Sequence, residues 1–142
     1  MAKTELLAGE IFKDARGQIS SLNHFHFEGV KRMYVLHHPD TAVIRGWNGH
    51  QFERKWFYCM KGAFEVRLVE VDNWTAPSPT LTAACHHLTS DQSQLLCVPA
   101  GYANRIQALT PDSILMVLSD KTPEESAADS YRFDASLWAT EK

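Results

Sequence analysis

The chain consists of short apolar and β-branched runs separated by turn residues, and this pattern constrains its fold more than any other feature. Phe64, Val66 and Leu68 alternate with Glu65 and Arg67, which is the two-residue period of a strand with one buried face. Many short strands at regular spacing predict an all-β fold, and we expect a jelly roll. The other runs expected to be strands are residues 30–36, 41–45, 54–60, 81–87, 94–98, 102–109 and 114–119.

Two turn signals predict hairpins. Residues 11–13 and 18–22 flank a turn at 14–17, which predicts an N-terminal hairpin. Lys61 and Gly62 separate two strand-like runs, so they predict a second tight hairpin in which Gly62 adopts a positive φ.

The end of the chain is less strand-like. Residues 121–130 are polar and predict a short helical turn, whereas residues 131–134 and Trp138 form a short C-terminal tail. That tail is too aromatic to remain in solvent, so we expect it to pack on the barrel or on a partner subunit. Because 142 residues is an ordinary domain size, residues 1–142 are expected to form a single domain with a barrel core over roughly residues 14–119.

Composition and charge argue against several classes of protein. Hydrophobic residues make up 44% of the chain and charged residues 22%, and no apolar run approaches the ~18 residues that span a bilayer. The first ten residues do not resemble a secretory signal, so a cytoplasmic location is expected. The net charge of −3 argues against nucleic-acid binding. Residues 30–62 nevertheless carry six cations and two acids, which favours a pocket for a small anionic ligand.

The cysteines and most of the histidines do not predict a metal site. The three cysteines, at 59, 85 and 97, form no C-x-x-C pair and are expected to be buried, reduced thiols. A metal site in a barrel needs about three converging protein ligands. Residues 37–40 predict a turn, so His37 and His38 are expected in that turn and not among converging ligands. Six histidines are each expected at the surface or at a sheet edge, namely His24, His26, His37, His38, His86 and His87.

The segment 45–50 combines polar side chains with two glycines. Asn48 and His50 are two residues apart, so a strand would turn both to the same face, which we expect to be the barrel interior. Arg45 would face the other way unless the glycines supply a bulge. From the residues alone, His50 is either a functional group or a satisfied core histidine. Tyr34 is expected to be a half-buried strand aromatic that could serve as an acid.

Two segments resemble the paired motifs of the cupins. Residues 48–50 and Gly62 are similar to the first motif, in which H-x-H is followed by Glu and Gly, and residues 99–104 (PAGYAN) are similar to the second motif, P-x-G-x-x-H. The usual Glu of the first motif would fall at Arg54 or Lys55. Asparagine replaces one motif histidine in each segment, so the resemblance favours a metal-free cupin.

The chain is more closely similar to the metal-free sugar cupins, the dTDP-4-dehydrorhamnose 3,5-epimerases and the WxcM-like dTDP-sugar 3,4-ketoisomerases. The epimerase motifs R-G-L-H, K-L-V and P-x-G-x-A-H-G resemble residues 45–48, 55–57 and 99–104. The ketoisomerase strand I-K-R-V-Y-Y resembles residues 30–35, and R-G-x-H-A-H resembles residues 45–50. The likeness extends from about Asp14 to Ser119.

This resemblance implies a cupin jelly-roll barrel (a double-stranded β-helix) that isomerises or epimerises a dTDP-4-keto-6-deoxy sugar by removing a proton next to the ketone, without a metal or another cofactor. The epimerase base corresponds to Asn48, which cannot accept a proton. The resemblance therefore implies His50 as the base and Tyr34 as the acid. The implied substrate-binding residues are Arg45, Asn48, Lys55, Arg32, Tyr102 and Asn104.

Two other functions stay open. The asparagines also fit a cupin that binds a sugar or sugar nucleotide without turning it over, because folds change function readily. A metal-dependent cupin enzyme is the third possibility. The flat aromatic strand edges and the aromatic tail predict a homodimer formed by strand exchange or sheet pairing.

Overall fold

The structure is a computed structural model, and it describes residues 3–138. Almost all of its regular structure is β, and one short helix, α1 (Pro123–Ala127), follows the last long strand. The strands are β1 (Glu5–Ala8), β2 (Glu10–Asp14), β3 (Gly17–Ser21), β4 (Arg32–His38), β5 (Ile44–His50), β6 (Lys55–Lys61), β7 (Ala63–Glu70), β8 (Ala84–Thr89), β9 (Gln94–Val98), β10 (Tyr102–Ala108), β11 (Ser113–Ser119) and β12 (Tyr131–Arg132).

The strands form two five-stranded antiparallel sheets and a separate hairpin. The first sheet has the order β1-β9-β6-β11-β4, and the second has the order β12-β5-β10-β7-β8. Neighbours in each sheet are mostly distant in sequence, as the long connections of a jelly roll require. The predicted jelly roll is therefore confirmed. The predicted N-terminal hairpin is also confirmed, because β2 pairs with β3 across the turn at residues 15–16.

The hydrophobic core lies between the two sheets. It contains Phe57, Leu96 and Leu115 from the first sheet and Phe64 and Val66 from the second, all at most 1% exposed. Burial of each such side chain contributes about 1.5–3 kcal/mol to folding. The alternation of apolar and polar residues along β7 thus places one face of that strand in the core, as the sequence predicts.

The C-terminal tail packs against the outer face of the second sheet, where the sequence predicts that it meets either the barrel or a partner. Trp138 contacts Trp47 and Phe133 edge-on, with ring centroids 5.1 and 5.4 Å away. The indole of Trp47 is fully buried and donates a hydrogen bond to the carbonyl of Leu137. This cluster fixes the tail on β5, the strand that carries His50.

Lys61 and Gly62 do not form the predicted hairpin. They join β6 and β7, which belong to different sheets, so they form a corner of the barrel. The positive φ of Gly62 is confirmed at 77°. A side chain there would collide with the hydroxyl groups of Ser113 and Thr110, which is why the corner requires glycine.

The predicted turn at residues 37–40 begins too early. His37 and His38 are the last residues of β4, and the chain turns after them. His38 is therefore 1% exposed and not at the surface. His86 on β8 is half-buried, and its Nε2 atom lies in the interior. Both histidines lie on edge strands, β4 and β8, which is one of the two predicted alternatives. Neither is at the surface, because strand alternation turns both side chains inward.

Two further observations complete the fold. Cys59 is buried as predicted and Cys97 is half-buried, and burial raises the pKa of each thiol to about 11. Cys85 is exposed, contrary to the prediction.

Among residues 3–138, no helix has the length and apolar character needed to cross a membrane.

Candidate active site

A bulge in β5 determines which side chains of segment 45–50 enter the barrel. Directly paired residues on adjacent strands share a face of the sheet, and β10 contributes Ile106 to the core. The register between β5 and β10 shifts at Trp47, so that Arg45 is paired with Ile106. Arg45 therefore shares the inner face of the sheet with Asn48 and His50. A bulge that brings Arg45 to the inner face is what the two glycines of the segment predict.

The two asparagines that replace cupin histidines are direct neighbours. Asn48 on β5 pairs with Asn104 on β10, and two residues further along the same strands His50 pairs with Tyr102. Asn104 is 3% exposed. Each amide can donate and accept hydrogen bonds but cannot act as a base near neutral pH. His50 is thus the titratable base of this group.

The facing sheet contributes the other predicted residues. Tyr34 and Arg32 on β4 pair with Val117 and Ser119 on β11, and Lys55 on β6 also pairs with Ser119. Val117 belongs to the core, so all of these positions face inward. The eight predicted site residues therefore occupy inward-facing positions of the two sheets.

His50 is buried with one ring nitrogen bonded and the other free. Its Nδ1 atom lies 2.9 Å from the carbonyl oxygen of Asp129, and because a carbonyl only accepts, Nδ1 carries the proton. Nε2 is buried and has no hydrogen-bond partner among the described residues. Burial, followed by the charge of Lys55, lowers the pKa of His50, although Glu53 and Asp129 act in the opposite direction. The ring is therefore neutral near pH 7, with the lone pair of Nε2 available as a base.

Glu53 is a buried carboxylate beside His50 that the sequence reasoning missed. One oxygen lies 3.3 Å from His50 Nδ1 and accepts a hydrogen bond from Ser126, at 2.6 Å. The other accepts from Ser119, at 2.5 Å, and from Arg32, at 3.3 Å. Burial raises the pKa of Glu53, but the two serine hydroxyls and the charge of Lys55 outweigh it, so that the pKa lies below 4.5. Glu53 is therefore ionised at neutral pH.

The segment after β11 holds the loop between His50 and β6. Helix α1 starts with a capping box, in which the side chain of Thr122 accepts from the backbone of Glu125 and the side chain of Glu125 accepts from the backbone of Thr122. Shortly after the helix, the carboxylate of Asp129 accepts three backbone hydrogen bonds, from residues 51, 52 and 53. The orientation of His50 and Glu53 thus depends on a segment almost eighty residues later in the chain.

Tyr34 belongs to the same polar network. Lys55 Nζ donates a hydrogen bond to its hydroxyl, at 3.2 Å, and the guanidinium of Arg32 lies 4.9 Å from the centre of its ring. Because Arg32 also contacts Glu53, and Glu53 contacts His50, Tyr34 is connected to His50 through two side chains. The structure therefore brings together four predicted residues, His50, Tyr34, Lys55 and Arg32.

Arg45 lies apart from this group. Its Nε atom donates to Nε2 of His38, at 3.0 Å. Together with Asn48 and Arg132 it lines a cavity of about 490 Å³ between β5 and the C-terminal tail. His50, Tyr34 and Lys55 are not among the residues that line this cavity. The site thus has two parts, a buried network around His50 and an open cationic cavity beside Asn48.

Converging metal ligands occur elsewhere within residues 3–138. Glu65, Cys85 and His87 present ligand atoms within 4.8 Å of one another, but they lie on the outer face of the second sheet, where Arg67 also binds Glu65. No comparable group of three His, Cys, Asp or Glu side chains occurs in the described part of the barrel interior.

The missed residues share a common property. Glu53, Ser119, Ser126 and Asp129 are polar residues that the fold buries, and Ser126 and Asp129 approach His50 only because of the path of the chain after β11. The spacing of Glu53, three residues after His50, is the one signal that could have identified any of them from the sequence.

The comparisons with known proteins identify the family. Residues 2–137 match the family model described as FdtA: WxcM-like, C-terminal. The chain therefore belongs to the WxcM-like family, and the resemblance to it is confirmed. No curated protein sequence matches the chain significantly.

Solved structures share the fold at low sequence identity. A histidine-to-asparagine variant of QdtA, a 3,4-ketoisomerase from Thermoanaerobacterium thermosaccharolyticum in complex with TDP-4-keto-6-deoxyglucose, has a TM-score of 0.72 and 19% identity, over 94% of this chain and 89% of that one. A 3,4-ketoisomerase from Helicobacter canadensis gives 0.73 and 17%, over 94% and 92%. The dTDP-4-dehydrorhamnose 3,5-epimerase of Bacillus anthracis, with TDP and PPi bound, gives 0.74 and 23%, over 98% and 86%. These likenesses support the cupin barrel.

Proposed function

We propose that this protein is a nucleotide-sugar isomerase of the 3,4-ketoisomerase type, acting on a dTDP-4-keto-6-deoxy sugar. The observation that carries the proposal is the unpartnered Nε2 atom of His50, which is buried in the barrel while Nδ1 is fixed by the carbonyl of Asp129. A buried imidazole with one free nitrogen is suited to removing and returning a carbon-bound proton. Membership in the WxcM-like family and the TDP-sugar ligands of the structural neighbours support the same substrate class.

The reaction requires a base, an acid and stabilisation of an enolate. Nε2 of His50 takes the proton from carbon 3, next to the ketone at carbon 4, and the electron pair of the broken C–H bond forms the enediolate. Lys55 and the hydroxyl of Tyr34, which are hydrogen-bonded to each other, stabilise the developing oxygen charge. A proton then returns to carbon 4, and the hydroxyl proton at carbon 3 passes to the oxygen at carbon 4, so that the ketone moves to carbon 3 and carbon 4 carries a hydroxyl. Atoms and electrons balance without an added oxidant.

Isomerisation fits the site better than double epimerisation. The epimerase base corresponds to Asn48, and Asn104 lies directly opposite it. Because neither amide can remove a proton from carbon, His50 is the single base of the paired strands. We propose that Asn48 and Asn104, with Tyr102, bind the sugar. Arg45 and Arg32 supply positive charge for the substrate, Arg45 from the open cavity.

A binding protein without catalysis is the second candidate. The observation that favours it is the amide pair Asn48–Asn104, which can hydrogen-bond a sugar but supplies no second base. In that case His50 would contribute to affinity alone.

Solvent deuterium exchange separates the two candidates. The protein is incubated in D₂O with dTDP-4-keto-6-deoxyglucose, and the sugar is analysed by NMR and mass spectrometry. An isomerase incorporates deuterium and forms the 3-keto sugar, and we expect His50→Gln to reduce the rate by at least about 100-fold. His37→Gln, an exposed histidine on β4, is the control and should react at the wild-type rate. Tight binding of the sugar nucleotide without exchange would instead establish a binding protein.

The remaining predictions concern metal and assembly. We propose that the reaction needs no metal or cofactor, so dialysis against a chelator should leave the exchange rate unchanged.

We also propose a single-domain homodimer, since Met33 and Val35 on the outer face of β4 and Met60 on β6 are each about half exposed and apolar. Light scattering tests this, with Met33→Glu expected to shift the protein towards the monomer.

A further inference from the structure

We propose that Glu53 is a positioning residue for His50, and that its buried carboxylate fixes the orientation of the ring and the position of its proton. This inference rests on the proposed role of His50 as the base. Nδ1 of His50 faces two acceptors at once, the carbonyl of Asp129 at 2.9 Å and Oε1 of Glu53 at 3.3 Å. Both acceptors favour a proton on Nδ1, which leaves Nε2 as the basic nitrogen.

The carboxylate is held firmly enough to perform this role. Its side chain is 0% exposed, and hydroxyl groups of Ser119 and Ser126 donate to its two oxygens. Ser126 lies on α1, so the helix acts on His50 through Glu53. A buried carboxylate that is fully hydrogen-bonded stays charged and cannot rotate freely. Glu53 does not reach Nε2, so it acts through His50 and not on the substrate.

Charges of both signs surround the imidazole. Glu53 and Asp129 favour its protonated form, whereas Lys55 on β6 opposes it. Arg32 on β4 contacts Glu53 and partly neutralises it, and Tyr102 on β10 is the direct strand partner of His50. Glu53 thus offsets Lys55 and burial, both of which weaken the base. Without Glu53, the ring would be a poorer proton acceptor and could adopt the other tautomer.

The substitution Glu53→Gln tests the proposal, because glutamine keeps an acceptor for the serines but removes the charge. Histidine ¹H–¹⁵N spectra, with His50 assigned through His50→Gln, give the tautomer and the pKa of the ring. We expect Glu53→Gln to lower the pKa of His50 and to reduce the fraction protonated at Nδ1. In the exchange assay, we expect kcat to fall about 10–100-fold with KM nearly unchanged, since residues that orient a functional histidine have effects of this size.

The acid limb of the kcat/KM profile should move to lower pH in Glu53→Gln, because that limb reports the pKa of the free base. A merely structural role would not move it. The matched control is Glu125→Gln on α1, since Glu125 is exposed and glutamine can preserve the capping box. This control should retain the wild-type profile.

The outcomes separate the two proposals. An active protein in which Glu53→Gln has the tautomer, pKa and kcat of the wild type would overturn the role of Glu53 and leave the isomerase intact. A protein inactive in all forms, in which Glu53→Gln still changes the tautomer and pKa of His50, would overturn the isomerase and retain the positioning. If Glu53→Gln fails to fold, Ser126→Ala removes one of the bonds that hold Glu53. It should shift the same quantities in the same direction by a smaller amount, and no shift would overturn the role.

Discussion

Arg45 Nε donates a hydrogen bond to Nε2 of His38, 3.0 Å away, and joins the start of β5 to the end of β4. His38 is 1% exposed and packs edge-on against Phe64. Because Nε2 accepts from a guanidinium, the ring must be neutral. Burial, followed by the charge of Arg45, lowers the pKa of His38 and keeps it in that state. His38 therefore orients the one arginine of segment 45–50 at the open cavity.

Replacement of His38 by alanine should destabilise the protein and weaken ligand binding. Loss of a large buried side chain costs about 2–5 kcal/mol in the free energy of unfolding, and Arg45 loses its acceptor. Urea denaturation measures the first effect, and titration with dTDP measures the second. The adjacent His37→Ala is the control. His37 is exposed and pairs with the carboxylate of Asp112, so its loss should cost less than about 1 kcal/mol. Equal costs for the two variants would contradict the interior position of His38.

Stability should decrease as the pH falls below about 6.5, the reference value for histidine. Burial lowers the folded-state pKa of His38, His50 and His86. The unfolded chain therefore binds more protons than the folded chain once the pH falls below 6.5. The free energy of unfolding decreases as the pH falls further, until it reaches the pKa values of these histidines in the folded state.

Urea midpoints measured between pH 8 and pH 5 test this dependence. The pKa values of Glu53 and Glu65 are lowered in the folded state, so their stabilisation is lost as the pH falls from the ordinary value of 4.5 towards the folded-state values. This window lies below the range tested and does not obscure the histidine effect. His38→Ala should show a shallower dependence than the wild type. A midpoint that stays constant from pH 7 to pH 5 would show that these rings titrate alike in the folded and unfolded states.

The sequence predicted the barrel and the interior positions well, because both follow from local rules. The two-residue spacing of Asn48 and His50 placed both on the inner face, and the glycines at 46 and 49 indicated the bulge that brings Arg45 to that face. The sequence did not predict that the chain passes from one sheet to the other at Gly62. A sharp turn has the same kind of residues whether the two strands beside it pair with each other or belong to different sheets.

The environment of His50 could not be predicted from the sequence. Its contacts with Asp129 and, through Glu53, with Ser126 arise from the return of the chain after β11. Local periodicity carries no information about such a return. For the same reason, the sequence did not indicate that Arg45 donates a hydrogen bond to His38, a side chain from β4.

Introduction of a second imidazole at Asn48 should extend deuterium exchange to a second carbon of the sugar. Asn48 lies two residues from His50 on the same face, and the resemblance to the epimerase motif R-G-L-H aligns it with the epimerase base. In Asn48→His, we expect deuterium from solvent at carbon 5 of the sugar as well as at carbon 4, the carbon that receives the returned proton, detected by NMR of the product. Asn48→Gln, which adds length without a base, is the control and should label carbon 4 of the product alone. Labelling of carbon 5 by the wild-type protein would contradict the assignment of His50 as the single base.

The corner at Gly62 should be more sensitive to substitution than another glycine of similar backbone conformation. Gly62 and Gly17 both have positive φ, 77° and 130°, so alanine at either position strains the backbone by about 1–3 kcal/mol. A side chain at Gly62 would also collide with Ser113 and Thr110, whereas nothing lies within 4 Å of one at Gly17. We therefore expect Gly62→Ala to lower the free energy of unfolding by about 1–3 kcal/mol more than Gly17→Ala, the usual cost of overpacking. Chemical denaturation of both variants measures this difference, and equal losses would show that the hydroxyls at the corner move aside without cost.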